Sequence, residues 1–373
     1  MNKAAARGDD WAFYKLAEFY REGKAGIAPD GYKAIKYLSE RGDWKEIAWI
    51  YRDGKYNVKP DGYKAIEYLT KEAERDKGKT LDEIADCYLK KGSGNDHSDA
   101  AEDYLHDAEE IFNVKVLQEI GEIYLEGKGG VQPNGYESLE YFSQALEGFN
   151  RIIDFAKKFA CQKRQDVFKR IFRVHEKFLK NMSRRIAEIY LDGAAGVKID
   201  AYKAIDYFEI GSDFEKIANI YRFGKYGIAP DPRKAIEYYL KCEAASNDNQ
   251  FLRTRLFENI AGIYSSLNDG TNALKYFLKA DKDGNEWAYI NVMQIYRYGK
   301  GNLKPDGVKL IKYLTKKMAQ DDSNDFIPYN IAEVYEEGCG TLEPNMQKAL
   351  EFYRKSVALG NKDAAKKLAQ LEN

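Results

Sequence analysis

The chain has 373 residues and a formal net charge of −1, so the protein as a whole has no electrostatic reason to bind nucleic acid or an anionic membrane. Its four cysteines lie far apart without a CxxC pair, which excludes a zinc-site spacing and an obvious disulfide framework. No stretch approaches the roughly 18 consecutive apolar residues that a membrane-spanning helix needs.

The first predicted element is a helix that carries a tyrosine near its end, in the segment LAEFYREG at Tyr20. The pattern returns along the chain with an aliphatic residue four before the tyrosine and, in all but one copy, Ala or Gly three before it. This is the spacing of one helix face. The anchor tyrosines are Tyr20, Tyr51, Tyr88, Tyr124, Tyr190, Tyr221, Tyr264, Tyr296 and Tyr335.

A turn and a second helix follow each anchor, as in IAPDGYKAIKYL and VKPDGYKAIEYL. The recurring acidic turn could be a phosphate or metal site used many times, or it could mark the start of a helix. Its position favours the second interpretation, because Asp or Asn before a helix accepts an otherwise unpaired backbone N–H. The predicted N-caps are Asp30, Asp61, Asn134, Asp200, Asp231, Asp306 and Asn345.

A glycine three residues after the anchor is predicted to form a left-handed C-terminal cap. These glycines are Gly23, Gly54, Gly127, Gly193, Gly224, Gly299 and Gly338. Every unit is therefore predicted to form a helix, a turn and a second helix. The third and seventh units shorten or rewrite the turn, in KKGSGNDHSDAAEDY and SSLNDGTNALKYF.

Residues 150–183 interrupt this period, and their apolar residues keep helical spacing. They predict a lengthened helical hairpin with a basic surface, to which Lys157, Lys158, Arg164, Lys169, Arg170 and Arg173 contribute. Such a surface can be the solvated side of a structural arm, can dock an acidic partner, or can bind lipid or nucleic acid. The first alternative is favoured.

No pattern indicates catalysis. The three histidines lack an HExxH or other metal spacing, and GKGG at 127–130 lacks the spacing of a phosphate-binding loop. No nucleophile stands beside a candidate base. We therefore predict a chain that is not an enzyme and has no cofactor, metal or catalytic residue.

The repeated motif resembles the Sel-one-like repeats, relatives of tetratricopeptide repeats. The resemblance implies an all-α, right-handed superhelical solenoid of about nine helix-turn-helix repeats with one elongated hairpin insert. The predicted division is repeats one to four in 1–149, the basic insert in 150–183 and repeats five to nine in 184–373. The first and last segments of the sequence are predicted to be parts of further units or caps of the repeat stack.

The resemblance implies that the first helices line a concave surface that binds other proteins. Residues two before and one or two after the anchors are the candidate binding residues, with Trp49, Phe223 and Tyr298 as aromatic anchors. Arg and Glu of neighbouring units could instead pair with each other. The candidates are Glu18, Arg21, Trp49, Arg52, Asp86, Glu122, Glu188, Arg222, Phe223, Arg297, Tyr298 and Glu333.

The predicted function is a scaffold that binds one or more partner proteins, without nucleic acid. By resemblance it belongs to a bacterial envelope assembly for secretion, polysaccharide export or host contact, in the periplasm or outside the cell. The N-terminal segment MNKAAARGDDWAFY lacks the apolar stretch of a secretory signal. The alternative is recognition of a glycan or peptidoglycan-type ligand along an acidic, tyrosine-rich groove.

Overall fold

The computed structural model describes residues 5, 7–24, 28–75, 108, 112–160, 165–245 and 249–372. Within these ranges, the side chains at 155, 156, 158–160 and 165–171 are not described. No helix in the described ranges combines the length and the apolar character needed to span a bilayer.

Seventeen α-helices and two short 3-10 turns make up the regular structure of the described residues, which contain no β-strand. Helices α1 to α17 are, in order, Asp10–Glu22, Gly31–Arg41, Trp44–Asp53, Gly62–Glu74, Val114–Glu126, Gly135–Ala160, Gln165–Asp192, Ala201–Ile210, Phe214–Phe223, Pro232–Ala244, Gln250–Ser266, Gly270–Lys282, Glu286–Tyr298, Gly307–Met318, Phe326–Glu337, Met346–Ala358 and Lys362–Leu371. The 3-10 turns are Lys128–Gly130 and Ala194–Gly196.

Each odd-numbered helix from α1 to α15 packs on the helix that follows it, and α17 packs on α16. The predicted all-α solenoid of helix-turn-helix repeats is thereby confirmed. The third predicted unit, with Tyr88, lies outside the described residues. The handedness of the superhelix and the domain division stay predictions.

The acidic residue of the recurring turn caps the second helix and also bonds to the first helix of the same repeat. In the second repeat, the Lys64 N–H donates to Oδ1 of Asp61 at 3.0 Å, and the Asp61 N–H donates to the Tyr51 carbonyl at 2.8 Å. The Lys64 ammonium lies 5.0 Å from the centre of the Tyr51 ring. The other six predicted N-caps accept the equivalent bond, which confirms Asp30, Asn134, Asp200, Asp231, Asp306 and Asn345 as caps.

The anchor tyrosine stacks on the aromatic residue of the second helix. The centres of the Tyr51 and Tyr68 rings are 5.9 Å apart, with 7° between their planes. Stacked aromatic pairs contribute about 0.5 to 1.5 kcal/mol beyond the burial of their area. Similar stacks join Tyr20 to Tyr37, Tyr124 to Tyr141, Tyr190 to Tyr207, Tyr221 to Tyr238, Tyr264 to Tyr276 and Tyr335 to Phe352.

The glycine after the N-cap allows the next repeat to approach. A Cβ at Gly62 would overlap the Lys128 carbonyl oxygen and the Val131 side chain. At Gly31 the N–H donates to the Tyr56 carbonyl at 2.8 Å. Gly31 and Gly62 therefore permit a contact with the next repeat described that a larger side chain would block.

The predicted left-handed C-caps hold for Gly23, Gly54, Gly127 and Gly193, with φ of 64–68° and ψ of 30–45°. The prediction is wrong for Gly299 and Gly338. Both have positive φ, but their ψ is 170°, so the backbone leaves the helix extended. The reason is an isolated β-bridge in each following loop, between Lys300 and Leu303 and between Cys339 and Leu342.

The second and fourth repeats of the sequence pack directly on each other. Helix α4 contacts α5 and the 3-10 turn at 128–130, and the Asn113 side-chain amide donates to the Ala73 carbonyl at 2.6 Å. One buried cluster includes Ile47 and Leu69 of the second repeat and Ile120 of the fourth. Helices α4 and α5 are therefore in direct contact.

The predicted elongated hairpin is formed by α6, with 26 residues, and α7, with 28 residues. The two helices pack together over buried residues that include Phe149, Ile152 and Met182. The sequence predicts the turn near residues 162–166. Helix α7 already begins at Gln165, and residues 161–164 lie outside the described residues.

We expect the hairpin to lose stability as the pH falls below about 6.5. The His175 ring stacks on the Phe149 ring, with 5.7 Å between the ring centres. Burial, followed by the charge of Lys157, lowers the pKa of His175, and the charges of Glu176 and Asp154 oppose this shift. Between the folded and unfolded pKa values the unfolded chain binds more protons, so lowering the pH through this window favours unfolding.

The test compares the free energies of unfolding of the wild type and His175→Gln at about pH 7.5 and about pH 5. The wild type is expected to lose more stability than the variant. An equal loss in both proteins would contradict this role of His175.

The chain divides into two compact units. The first comprises residues 1–213 with 226–228, and the second comprises 214–225 with 229–373.

Candidate functional site

The surface of the first helices that lies opposite the anchor tyrosines carries exposed aromatic residues. At 100° per residue, positions nine before, two before and two after the anchor all lie within about 20° of the opposite direction. We call this surface the first-helix face. Its exposed aromatic residues, with their exposed fractions, are Trp11 (63%), Trp49 (42%), Phe223 (55%), Trp287 (70%), Tyr298 (69%) and Phe326 (58%).

All three predicted aromatic anchors are exposed on this face. The Trp49 Nε1 donates to Glu119 at 3.1 Å, which fixes the orientation of the indole. The Phe223 ring centre lies 5.0 Å from the Arg222 guanidinium, and that of Tyr298 lies 5.7 Å from Arg297. A guanidinium at this distance is attracted to the face of an aromatic ring.

The predicted arginines connect consecutive first helices of the stack. Arg21 pairs with Glu46, and Arg52 pairs with Glu119 and with its neighbour Asp53. The Arg21–Glu46 and Arg52–Glu119 pairs each join a first helix to the next one described. The structure thus contains the ion pairs between repeats that the sequence left open as an alternative.

The second unit repeats this arrangement. Arg297 donates to Glu333 at 3.0 Å and to Glu337 at 2.7 Å, and Arg222 donates to Asn259 at 2.6 Å. Burial lowers the pKa of Arg297, but the hydrogen bonds and charges of the two carboxylates outweigh this effect, so the pKa is raised. Reversing the charge at Arg297 would leave two acids unpaired, so it would test stability as well as binding.

The predicted acidic residues also have cationic neighbours. Hydrogen bonds from Lys15 and Lys24 lower the pKa of Glu18 to about 2. Glu122 lies 3.8 Å from Lys128 and 3.7 Å from Arg185.

Two further acidic residues were predicted on the binding surface, Glu188 and Asp86. The pKa of Arg184 is raised first by its hydrogen bond to Asp213 and, more weakly, by the charge of Glu188, which therefore lies near this guanidinium. Asp86 lies outside the described residues. The described acids therefore do not form an uncompensated acidic groove.

The basic arm is described in part. Lys157 is exposed and pairs with Asp154 at 3.2 Å, and Arg173 is exposed. The prediction for the other members falls on residues or side chains that are not described, namely Lys158, Arg164, Lys169 and Arg170.

Sequence reasoning missed three exposed aromatic residues, Trp11, Trp287 and Phe326. Each stands nine residues before an anchor, in the first turn of its helix. Extending the helical spacing by two turns toward the N-terminus would have found them. In the described residues no group of three His, Cys, Asp or Glu side chains could hold a metal ion.

The repeats were compared with known families and structures. The Sel1 repeat family matches residues 12–40, 46–76, 117–148, 183–213, 216–242 and 329–361. The protein is a Sel1 repeat protein. The matched Sel1 repeats follow the helix pairs of the structure, and α11–α12 and α13–α14 have the same pairing without a match.

Two solved Sel1 repeat structures are similar to the chain. The protective antigen c5321 of uropathogenic Escherichia coli is 21% identical, with 99% of this chain and 81% of that chain covered and a TM-score of 0.30. A Sel1 repeat protein from Oxalobacter formigenes is 16% identical, with 99% and 88% covered and a TM-score of 0.39. A comparison with curated proteins finds no match.

Proposed function

We propose that this Sel1 repeat protein is a non-enzymatic adaptor that binds a partner protein through its first-helix face. Sel1 repeats mediate protein–protein interaction. The observation that carries the proposal is the exposed aromatic side chains that the first helices of each unit carry on this face, up to 70% exposed at Trp287. Aromatic residues and arginine dominate the binding energy of protein interfaces.

The geometry of the second unit supports this function further. Trp287 and Tyr298 lie on one face of α13, at its first and last turns. The pairing of Arg297 with Glu333 and Glu337 links α13 to α15, so the rings project from a braced surface. A rigid surface loses little entropy on binding.

A bacterial envelope assembly for secretion, polysaccharide export or host contact remains our proposal for the setting, and the Sel1 repeat resemblance supports it. The glycan alternative receives less support. Most anchor tyrosines stack on second-helix aromatics, and the described acids are paired, so a tyrosine-rich acidic groove is not the main feature of the first helices.

The test uses immobilised chain to capture a partner from native extract and then measures the affinity of the purified partner by calorimetry. The double variant Trp287→Ala/Tyr298→Ala is expected to bind at least tenfold more weakly, because hot-spot aromatics contribute about 2 kcal/mol or more each. The matched control is Val308→Ala/Met346→Ala, two exposed apolar residues of second helices in the same unit.

Equal weakening by both double variants would contradict binding through the first-helix face. Release of the captured protein by soluble glycans alone would favour the glycan alternative.

A further inference from the structure

Arg222, in the last turn of α9, has a neutral partner where equivalent arginines have an acid. Arg21 and Arg52 occupy the same position, one residue after their anchors, and pair with Glu46 and Glu119. Both glutamates stand five residues before the next described anchor. The charge of each of these two arginines is therefore neutralised by the repeat that follows it.

The repeat that follows Arg222 offers it no acid. The Arg222 Nη1 donates at 2.6 Å to Oδ1 of Asn259, which stands five residues before its anchor in place of the glutamate. The acids that pair with Arg297 stand two before and two after the next anchor, and the seventh repeat has Gly262 and Ser266 there. All three positions that supply a carboxylate to the other arginines are therefore neutral.

The acids that α9 and α11 do contain have other partners. Glu215 accepts a hydrogen bond from Arg255 at 2.7 Å, and Glu258 accepts one from Asn285 at 3.2 Å. In the part of the chain that the structure describes, Arg222 has no ion pair, and its Nε and Nη2 are not buried and donate no hydrogen bond. The guanidinium thus keeps an uncompensated charge and two nitrogens that can bind an acceptor.

A second unpaired cation lies nearby. Lys55 of the second repeat stands four residues after its anchor and binds Asp53 at 3.0 Å. In the sixth repeat Phe223 replaces that aspartate, and the equivalent Lys225 lies 5.7 Å from the ring centre, without an ion pair to any described residue. Arg222 lies 5.0 Å from the same ring centre. Two cations without acidic partners therefore adjoin one exposed aromatic ring.

The space beside the guanidinium is open. A Cβ built on Gly262 would lie 3.7 Å from Nη2 of Arg222 and would meet no other described atom outside α11 within 4 Å. A carboxylate in this space could accept charge-assisted hydrogen bonds from the guanidinium. An apolar side chain next to it would cover the ring of Phe223, which is 55% exposed.

We propose that Arg222 and Phe223 bind a glutamate or aspartate side chain of the partner protein that stands next to an apolar residue. This inference rests on the proposed adaptor function and adds the chemistry of the partner. The site belongs to the first-helix face, because Phe223 is one of its exposed aromatic residues. Lys225 adds positive charge that attracts the same acidic segment.

The test titrates the full chain with the blocked peptide acetyl-Leu-Glu-methylamide and follows the chemical shifts of backbone amides and arginine Nε–H groups. The neutral isostere acetyl-Leu-Gln-methylamide is titrated in parallel. The glutamine peptide is expected to bind about threefold more weakly or worse, the effect of losing a partly exposed ion pair.

Asn259→Glu supplies the missing acid without changing Arg222. The new carboxylate is expected to pair with Arg222 as Glu119 pairs with Arg52, and so to weaken the glutamate peptide about threefold. Arg222→Gln, which can still bond to Asn259, is expected to give a similar loss. The matched control is Gln347→Glu, which adds the same charge at an exposed position of α16 and should bind like wild type.

Equal binding of the two peptides, or unchanged binding of the glutamate peptide by Asn259→Glu, would overturn the proposal. An equal loss in Gln347→Glu would show an effect of net charge alone and would also refute it. The adaptor function is tested separately, because it depends on Trp287→Ala/Tyr298→Ala and on a captured partner. If a partner is captured while the glutamate peptide fails to bind, only the inference about Arg222 is wrong.

Discussion

Replacing Phe149 with alanine is expected to lower the free energy of unfolding by about 3 to 5 kcal/mol. Phe149 is fully buried in α6, and its ring stacks on Phe178 of α7 at 4.0 Å and on His175 at 5.7 Å. Truncation removes the main aromatic contact between the two long helices and leaves a cavity. Denaturant unfolding followed by circular dichroism measures the loss.

Phe223→Ala is the control for Phe149→Ala, because Phe223 is 55% exposed. Its substitution should change the free energy of unfolding by no more than about 0.5 kcal/mol. A loss below about 1 kcal/mol in Phe149→Ala would show that the hairpin helices do not pack through this ring.

Replacing Arg184 with methionine is expected to lower the free energy of unfolding by about 2 to 3 kcal/mol, because it leaves a buried carboxylate unpaired. Arg184 donates to both oxygens of Asp213 at 2.5 and 2.6 Å, and Asp213 is 7% exposed. Lys180 remains 3.7 Å away, and Arg184 itself is partly exposed, so water limits the loss.

A double-mutant cycle separates this pair from other effects of the substitutions. Asp213→Asn removes the charge, so Arg184→Met/Asp213→Asn is expected to lose less stability than the sum of the two single variants. Additive losses in the cycle would mean that the two side chains do not interact in solution.

The repeat pattern could be predicted because it follows local rules. A cap such as Asp61 and an anchor such as Tyr51 act within a few residues of their own helix, so their types and spacing are visible in the sequence. The position of the exposed face follows from the same period. Trp49, Phe223 and Tyr298 are exposed for this reason, and their role as binding residues stays a prediction.

The remaining features depend on contacts between repeats, which one sequence does not specify. The partner of Arg52 is Glu119, 67 residues away, and it is reached because α4 packs directly on α5. The extended backbone at Gly299 depends on a bridge in the following loop.

The central claim is that the recurring acidic turn stabilises each repeat and is not a site for phosphate or a metal ion. The most direct test is the free energy of unfolding of Asp61→Ala relative to wild type, in plain buffer and with added phosphate or calcium. We predict a loss of about 1 kcal/mol that is the same in all three solutions, and little loss in Asp61→Asn, since asparagine is an equally good cap. A loss that appears only when phosphate or calcium is present would contradict the claim.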